Sequence, residues 1–107
     1  MSDIELTLQK ARNNAKGYGE LFGAYHTADD FLKTTYAMLY EDAPSGTVGD
    51  RDAWVKRQVG YTAAVERKRD AYSEWKTAET YMKLLLAEVE VWRTKQANER
   101  FMDRAHT

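Results

Sequence analysis

Basic side chains interleaved with aromatic rings are the residues of this 107-residue chain that are best able to do chemistry. Single-stranded nucleic-acid sites use this combination, because bases stack on the rings while cations hold the phosphates. Two groups of cations carry the pattern, one from residue 54 to 69 and one from residue 93 to 104. The sequence therefore predicts a contact surface for nucleic acid or a partner, made of Lys56, Arg57, Arg67, Lys68, Arg69, Arg93, Lys95, Gln96, Asn98, Arg100 and Arg104.

A solvated helical surface is the alternative interpretation of the same residues. Lysine and arginine beside an apolar stripe commonly lay their stems over it and keep their charges in water. The net charge of the chain is -1, which argues against strong non-specific affinity for DNA. The two halves of the chain differ in charge. Residues 1–50 hold 4 basic and 8 acidic side chains, whereas residues 51–107 hold 12 basic and 9 acidic ones.

Residues with the chemistry of a catalytic or metal site are few. His26, Asp29 and Asp30 form the one candidate cluster, but helix capping accounts for aspartates near a helix start. There is no cysteine. Gly17, Gly19 and Gly23 fit neither the spacing of a Walker phosphate loop nor that of the dinucleotide-binding fingerprint. We therefore expect no enzyme activity, no metal or other cofactor, and no small-molecule substrate.

Helix signals dominate the part of the chain before the single proline, Pro44. Ser2 and Glu5 have capping-box spacing at the start of a first helix, and Thr27 with Asp30 repeats that spacing at a second. Glycines between residues 17 and 23 predict a kink or turn between the two, because glycine costs about 1 kcal/mol in a helix interior. These features predict two short helices within residues 1–42 and a turn over 43–50.

One long helix is predicted over residues 51–104, with Thr47 and Asp50 at its start. This segment contains no proline, and whether it breaks near Gly60 stays open. Its apolar stripe comprises Trp54, Tyr61, Val65, Tyr72, Trp75, Met82, Leu86 and Val89, broadened by Ala64, Ala71, Ala78, Leu85 and Trp92. Two short helices would not cover a helix of that length, so we expect a homo-oligomer.

The predicted fold class is all-α, a single domain over residues 1–107 in which two short N-terminal helices pack on one long C-terminal helix. This arrangement is a helical hairpin or coiled-coil-like oligomer. No apolar run approaches the ~18 residues that cross a bilayer, and the acidic start lacks a signal peptide's pattern. We therefore expect a cytoplasmic protein that does not bind membranes.

Three stretches together resemble a known class of small proteins. They are Asp30–Ala37, Asp50–Trp54 and Val91–Arg100. Their order is similar to small helical proteins of unassigned activity that tailed bacteriophages and prophages encode near DNA-recombination genes. The resemblance implies a bacterial host cytoplasm and an accessory role in phage DNA metabolism, with single-stranded DNA or a phage recombination protein as partner.

Three functions follow as hypotheses. The first is a non-enzymatic accessory factor in DNA recombination, an oligomeric helical scaffold that contacts DNA or a DNA-bound partner. The second is a protein-binding inhibitor or adaptor of a host nuclease or defence complex, in which Asp29, Asp30, Glu41 and Asp42 mimic nucleic-acid phosphates. The third is a purely structural helical oligomer.

Overall fold

The computed structural model describes residues 2–106, and the side chains of residues 2–105. They form three α-helices: α1 (Asp3–Asp42), α2 (Val48–Lys56) and α3 (Val59–His106). The predicted all-α class is confirmed. None of the described helices is both long and apolar enough to cross a membrane.

The N-terminal helix is one element of 40 residues, so the prediction of two short helices was wrong. A half-buried residue recurs every three or four positions along α1, and this seam continues through the glycines as Asn14, Tyr18, Leu21 and Tyr25. Burial along such a seam outweighs the roughly 1 kcal/mol that each helical glycine costs. Thr27 therefore lies in mid-helix and caps nothing, whereas the Ser2 hydroxyl accepts a hydrogen bond from the Glu5 amide at 3.2 Å.

The predicted long helix is divided after Lys56, four residues before Gly60. The predicted cap is confirmed, because Thr47 and Asp50 form a capping box, but the helix begins at Val48 and not at residue 51. Val55 and Ala64 are both buried, yet nine residues at about 100° each would place them on opposite sides of one straight helix. The break at Arg57 and Gln58 lets both side chains reach a core, which explains why it occurs without proline.

The chain divides into two compact units, which are described separately. The terminal unit combines α1 through Gly19 with α3 from Thr77 onward. Its two helical segments run antiparallel, since Thr7 donates a hydrogen bond to the Glu88 carboxylate at 3.1 Å and Asn14 donates to the Ala78 carbonyl at 3.2 Å. A polar side chain at a seam position fixes the register between two helices.

The central unit, Glu20–Lys76, holds the rest of α1, all of α2 and the start of α3. Tyr36 donates a hydrogen bond to Asp52 at 2.5 Å, and the Arg51 guanidinium donates to the Tyr40 carbonyl at 2.7 Å, so two polar contacts join α2 to α1. The fully buried residues of this unit are Ala28, Val55 and Ala64. Three helices thus enclose a small core.

The seam of α3 differs in phase from the predicted stripe. It runs Tyr61, Ala64, Lys68, Ala71, Trp75, Ala78, Met82, Leu85, Val89, in steps of three and four residues. Tyr72 and Leu86, which were predicted to lie on the central line of the stripe, are 46% and 53% exposed. Ala64, Ala71 and Ala78, which were predicted only to broaden the stripe, lie on the seam itself, and Lys68 takes a seam position that the predicted stripe left out.

Candidate nucleic-acid interface

An open groove runs between α1 and α3 in the central unit, with a volume of about 370 Å³. Tyr25 and Leu32 line it from α1, and Tyr61, Val65, Lys68, Arg69 and Tyr72 line it from α3. Its geometry follows from heptad spacing, because Tyr25 and Leu32 lie seven residues apart, as do Val65 and Tyr72. Residues seven apart lie on the same face two turns away from each other, so each helix contributes one continuous wall.

Aromatic rings form a cluster at the Tyr72 end of the groove. Tyr25 stacks on Trp75 with centroids 5.2 Å apart, and Tyr72 meets Tyr25 edge-on at 5.5 Å. Phe22 packs edge-on against Trp75 at 5.1 Å. Phe22 and Tyr72 remain 42% and 46% exposed, so each offers ring surface to a planar ligand.

Two cations lie beside these rings. The Lys76 ammonium is 4.4 Å from the centroid of the Trp75 ring and 5.7 Å from that of Tyr72. Arg69 lines the groove and is exposed. Cation and ring together provide the two contacts that a nucleotide needs, one for the phosphate and one for the base.

Lys68 also lines the groove, but an acidic partner compensates its charge. Its ammonium lies 2.8 Å from Asp29, and Lys33 lies 3.0 Å from the other oxygen of the same carboxylate. The hydrogen bond from Lys68, supported by the one from Lys33, lowers the pKa of Asp29, and the hydrogen bond to Asp29 raises the pKa of Lys68. The lowered pKa of Asp29 and the raised pKa of Lys68 both favour the charged forms of this ion pair.

The other cations of the first predicted group lie outside the groove lining. Lys56 pairs with Asp52 at 3.0 Å, and the Arg67 guanidinium lies 4.9 Å from the centroid of the Phe31 ring. Arg57 is exposed at the end of α2. The structure thus brings Lys68 and Arg69 together around the groove and assigns the remaining three to other surroundings.

The second predicted group belongs to the terminal unit and lines no part of this groove. Arg93 pairs with Glu90 at 3.2 Å, and Gln96 is half-buried at a seam position. The other members, Lys95, Asn98, Arg100 and Arg104, are exposed on the last turns of α3. This group forms a largely exposed, charged surface on the end of α3.

The His26, Asp29 and Asp30 cluster lies in mid-α1, so the prediction of helix capping was wrong. His26 packs edge-on against Phe22 with centroids 4.4 Å apart, and Asp29 binds two lysines. Within the described part of the chain, no group of three histidine or acidic side chains is placed to hold a metal ion.

Phe22, Tyr25 and Lys76 belong to the site but were absent from the prediction. For Tyr25 the signal is the seam of α1, because Tyr18, Leu21, Tyr25, Ala28 and Leu32 alternate steps of three and four residues, whereas Phe22 and Lys76 lie outside this repeat. Treating residues 17–23 as a helix break hides this repeat. Comparisons of the chain with protein-family models, curated proteins and solved structures found no match.

Proposed function

We propose that this protein is a non-enzymatic accessory factor in phage DNA metabolism, a helical scaffold that holds single-stranded DNA in the groove of the central unit. The observation that carries the proposal is the half-exposed ring of Tyr72 with Arg69 and Lys76 beside it. The resemblance to phage proteins encoded near recombination genes supplies the biological setting.

A base stacks on Tyr72 or Phe22 in this proposal, while Arg69 and Lys76 hold the adjoining phosphates. Stacking on an aromatic side chain contributes about 1–3 kcal/mol per base and tolerates any base, because every base has a π-face. The contact is therefore independent of sequence and selects unpaired strands, whose bases are free to leave the stack.

The affinity is expected to be modest and sensitive to salt. Asp29 offsets part of the positive charge at the groove, and the whole chain has a net charge of -1. With two cations on phosphates, the logarithm of the binding constant falls with the logarithm of the salt concentration with a slope of about -1.4. A larger surface of paired phosphates would give a steeper slope.

Fluorescence anisotropy of a labelled oligothymidylate tests the proposal, with wild type, Tyr72→Ala and Arg69→Ala titrated at low and moderate salt. Both substitutions should weaken binding by about tenfold, from the loss of one stacked base or one phosphate contact. Arg100→Ala, which removes an exposed cation of the terminal unit, is the matched control and should bind like wild type. Equal losses in all three variants, or no binding at low salt, would contradict the proposal.

A protein partner is the second candidate, and the acidic end of α1 favours it. Glu41 and Asp42 lie at the C-terminus of the helix, where the last turn has no basic residue and the helix dipole opposes negative charge. Helix stability does not explain these exposed acids, whereas a cationic surface on a host nuclease or defence protein would. Asp29 is less available for such mimicry than Asp30, because two lysines bind it. A pull-down in which Glu41→Lys and Asp42→Lys release a stoichiometric partner would favour this candidate.

A further inference from the structure

A second apolar face runs along the C-terminal half of α3, separate from the seam. It consists of Tyr81, Leu84, Glu88, Val91, Lys95, Asn98 and Met102, in steps of three and four residues, and is called the lateral face here. At 100° per residue it lies about 110° around the helix from the seam. Leu84, Val91 and Met102 are 60%, 61% and 54% exposed, so α1 leaves these apolar side chains uncovered, while Glu88 on the same face also accepts a hydrogen bond from Thr7 of α1.

The last turns of α3 also extend beyond the start of α1. Thr7 bonds to Glu88, and α1 begins four residues before Thr7, at Asp3. In an antiparallel pair those four residues reach to about residue 92 of α3. From Val91 to Ala105 every described side chain is exposed except the half-buried Gln96. Helical turns without a packing partner are marginal in water, so this stretch needs a partner to bury its apolar groups.

We propose that the lateral face docks against the same face of a second copy of this chain, with the two α3 helices antiparallel about a twofold axis. The charges of the face fit this occupant, because Glu88 and Lys95 make the face complementary to itself. A parallel arrangement would set Glu88 against Glu88 and Lys95 against Lys95, and like charges in register destabilise a helix pair.

When the twofold axis lies level with Arg93, the two lateral faces bring apolar side chains into contact with each other and set opposite charges near each other. Leu84 then lies level with Met102 of the second copy. Glu88 is displaced by three residues, about 4.5 Å along the axis, from Lys95 of the second copy, within reach of the lysine side chain. The aliphatic stem of Lys95 covers Val91 of the second copy. Arg93 itself lies on the opposite side of α3 and stays outside the contact.

Symmetry repeats every one of these contacts, so a single helix face gives two apolar clusters and two ion pairs. Such an isologous contact closes after two copies and leaves no surface for further growth. The face from Tyr81 to Met102 spans about 33 Å at 1.5 Å per residue. This inference specifies the oligomer of the proposed scaffold and uses none of the residues of the nucleic-acid groove.

Sedimentation equilibrium of the purified protein, without oligonucleotide, tests the inference between about 10 μM and 1 mM. The mass of wild type should rise toward twice 12.4 kDa. Val91→Asp should stay monomeric across that range, and Lys95→Glu should weaken the dimer by about tenfold, because two attractive pairs become repulsive. The double variant Glu88→Lys/Lys95→Glu should recover dimerisation to within about threefold of wild type, since it restores opposite charges in the same register.

The matched control is Arg100→Glu, which makes the same change of charge on the same helix end but off the lateral face. It should dimerise like wild type. Circular dichroism of each variant should show unchanged helix content, because every substituted side chain is exposed. A monomeric wild type, a dimer indifferent to Val91→Asp, or a double variant no better than Lys95→Glu would each overturn the inference. Failure of DNA binding leaves these masses unchanged, so the two proposals fail separately.

Discussion

Lys68 on α3 and Asp29 on α1 form an ion pair at 2.8 Å that joins two helices beneath the candidate nucleic-acid groove. Lys68 occupies a seam position, where an unpaired charge would be costly, and its partner is an acid that Lys33 also binds. The pair therefore contributes to packing and at the same time reduces the positive charge available to a phosphate.

Asp29→Asn should raise the affinity for single-stranded DNA by about threefold, because it removes a carboxylate that competes with phosphate for Lys68 and Lys33. The anisotropy titration with oligothymidylate measures the change. Asp30→Asn is the matched control, since it removes the same charge from the exposed neighbouring position and should have a smaller effect. Weaker binding by Asp29→Asn than by wild type would show that Lys68 contacts no phosphate.

The hydrogen bond from Tyr36 to Asp52 makes the contact between α1 and α2 depend on pH. It raises the pKa of Tyr36 from 10.0 to about 12, because ionising the phenol would break the bond and set two negative charges together. A group whose pKa is higher in the folded than in the unfolded protein contributes its full stabilisation below the unfolded-state pKa. That contribution is lost as the pH rises through the folded-state pKa. The free energy of unfolding should therefore decline between about pH 10 and 12.

Ultraviolet absorbance of tyrosinate provides the measurement. Tyr36 should titrate at about pH 12 in wild type and at a lower pH in Asp52→Asn. Lys56→Ala, which removes the other partner of Asp52, is the control and should leave the late step in place. Identical titration curves for wild type and Asp52→Asn would contradict the assigned hydrogen bond.

Trp75 is the centre of the ring cluster and should dominate the stability of the central unit. Trp75→Ala should cost about 3 kcal/mol, because it leaves a cavity between Phe22 and Tyr25. The indole N–H of Trp75 is buried without a hydrogen-bond partner, so Trp75→Phe should cost far less. Urea denaturation gives both values. Trp92→Ala is the comparison, since Trp92 is 41% exposed, and an equal cost there would contradict the assigned burial.

Gly19 lies inside α1 with open space around the position of an added Cβ atom. Gly19→Ala should therefore stabilise the protein by about 0.5–1 kcal/mol, because alanine loses less backbone freedom than glycine in a helix. Thermal unfolding followed by circular dichroism tests this, with the equally exposed Gly23→Ala expected to behave alike. A loss of stability in both variants would contradict the continuous helix and favour the kink that was predicted from the glycines.

Local signals in the sequence were sufficient for part of the fold. The caps at Ser2 and Thr47 and the break around Pro44 follow from side chains that act on their own backbone. The division at Arg57 does not, because it depends on Val55 and Ala64 sharing a core, which only the tertiary packing reveals. The continuity of α1 through Gly19 has the same origin, since burial along the seam decides it.

The site was predictable to a similar extent. Arg69 follows from the group of cations along one helix, whereas Tyr72 was assigned to the buried stripe and its exposure was not predicted. Tyr25 and Phe22 depend on the register between α1 and α3, and a single-helix pattern carries no information about that register. The Asp29 partner of Lys68 was missed for the same reason, since the two residues are far apart in sequence.

Photocrosslinking of bromodeoxyuridine-containing single-stranded DNA to the wild-type protein, followed by mass spectrometry of the crosslinked peptides, locates the bound strand. We expect crosslinks at Tyr72 or at Phe22 and Tyr25, with yields that fall as salt rises and that drop in Arg69→Ala. Crosslinks confined to residues 92–104, or yields unchanged by Arg69→Ala, would contradict the assignment of the groove as the nucleic-acid site.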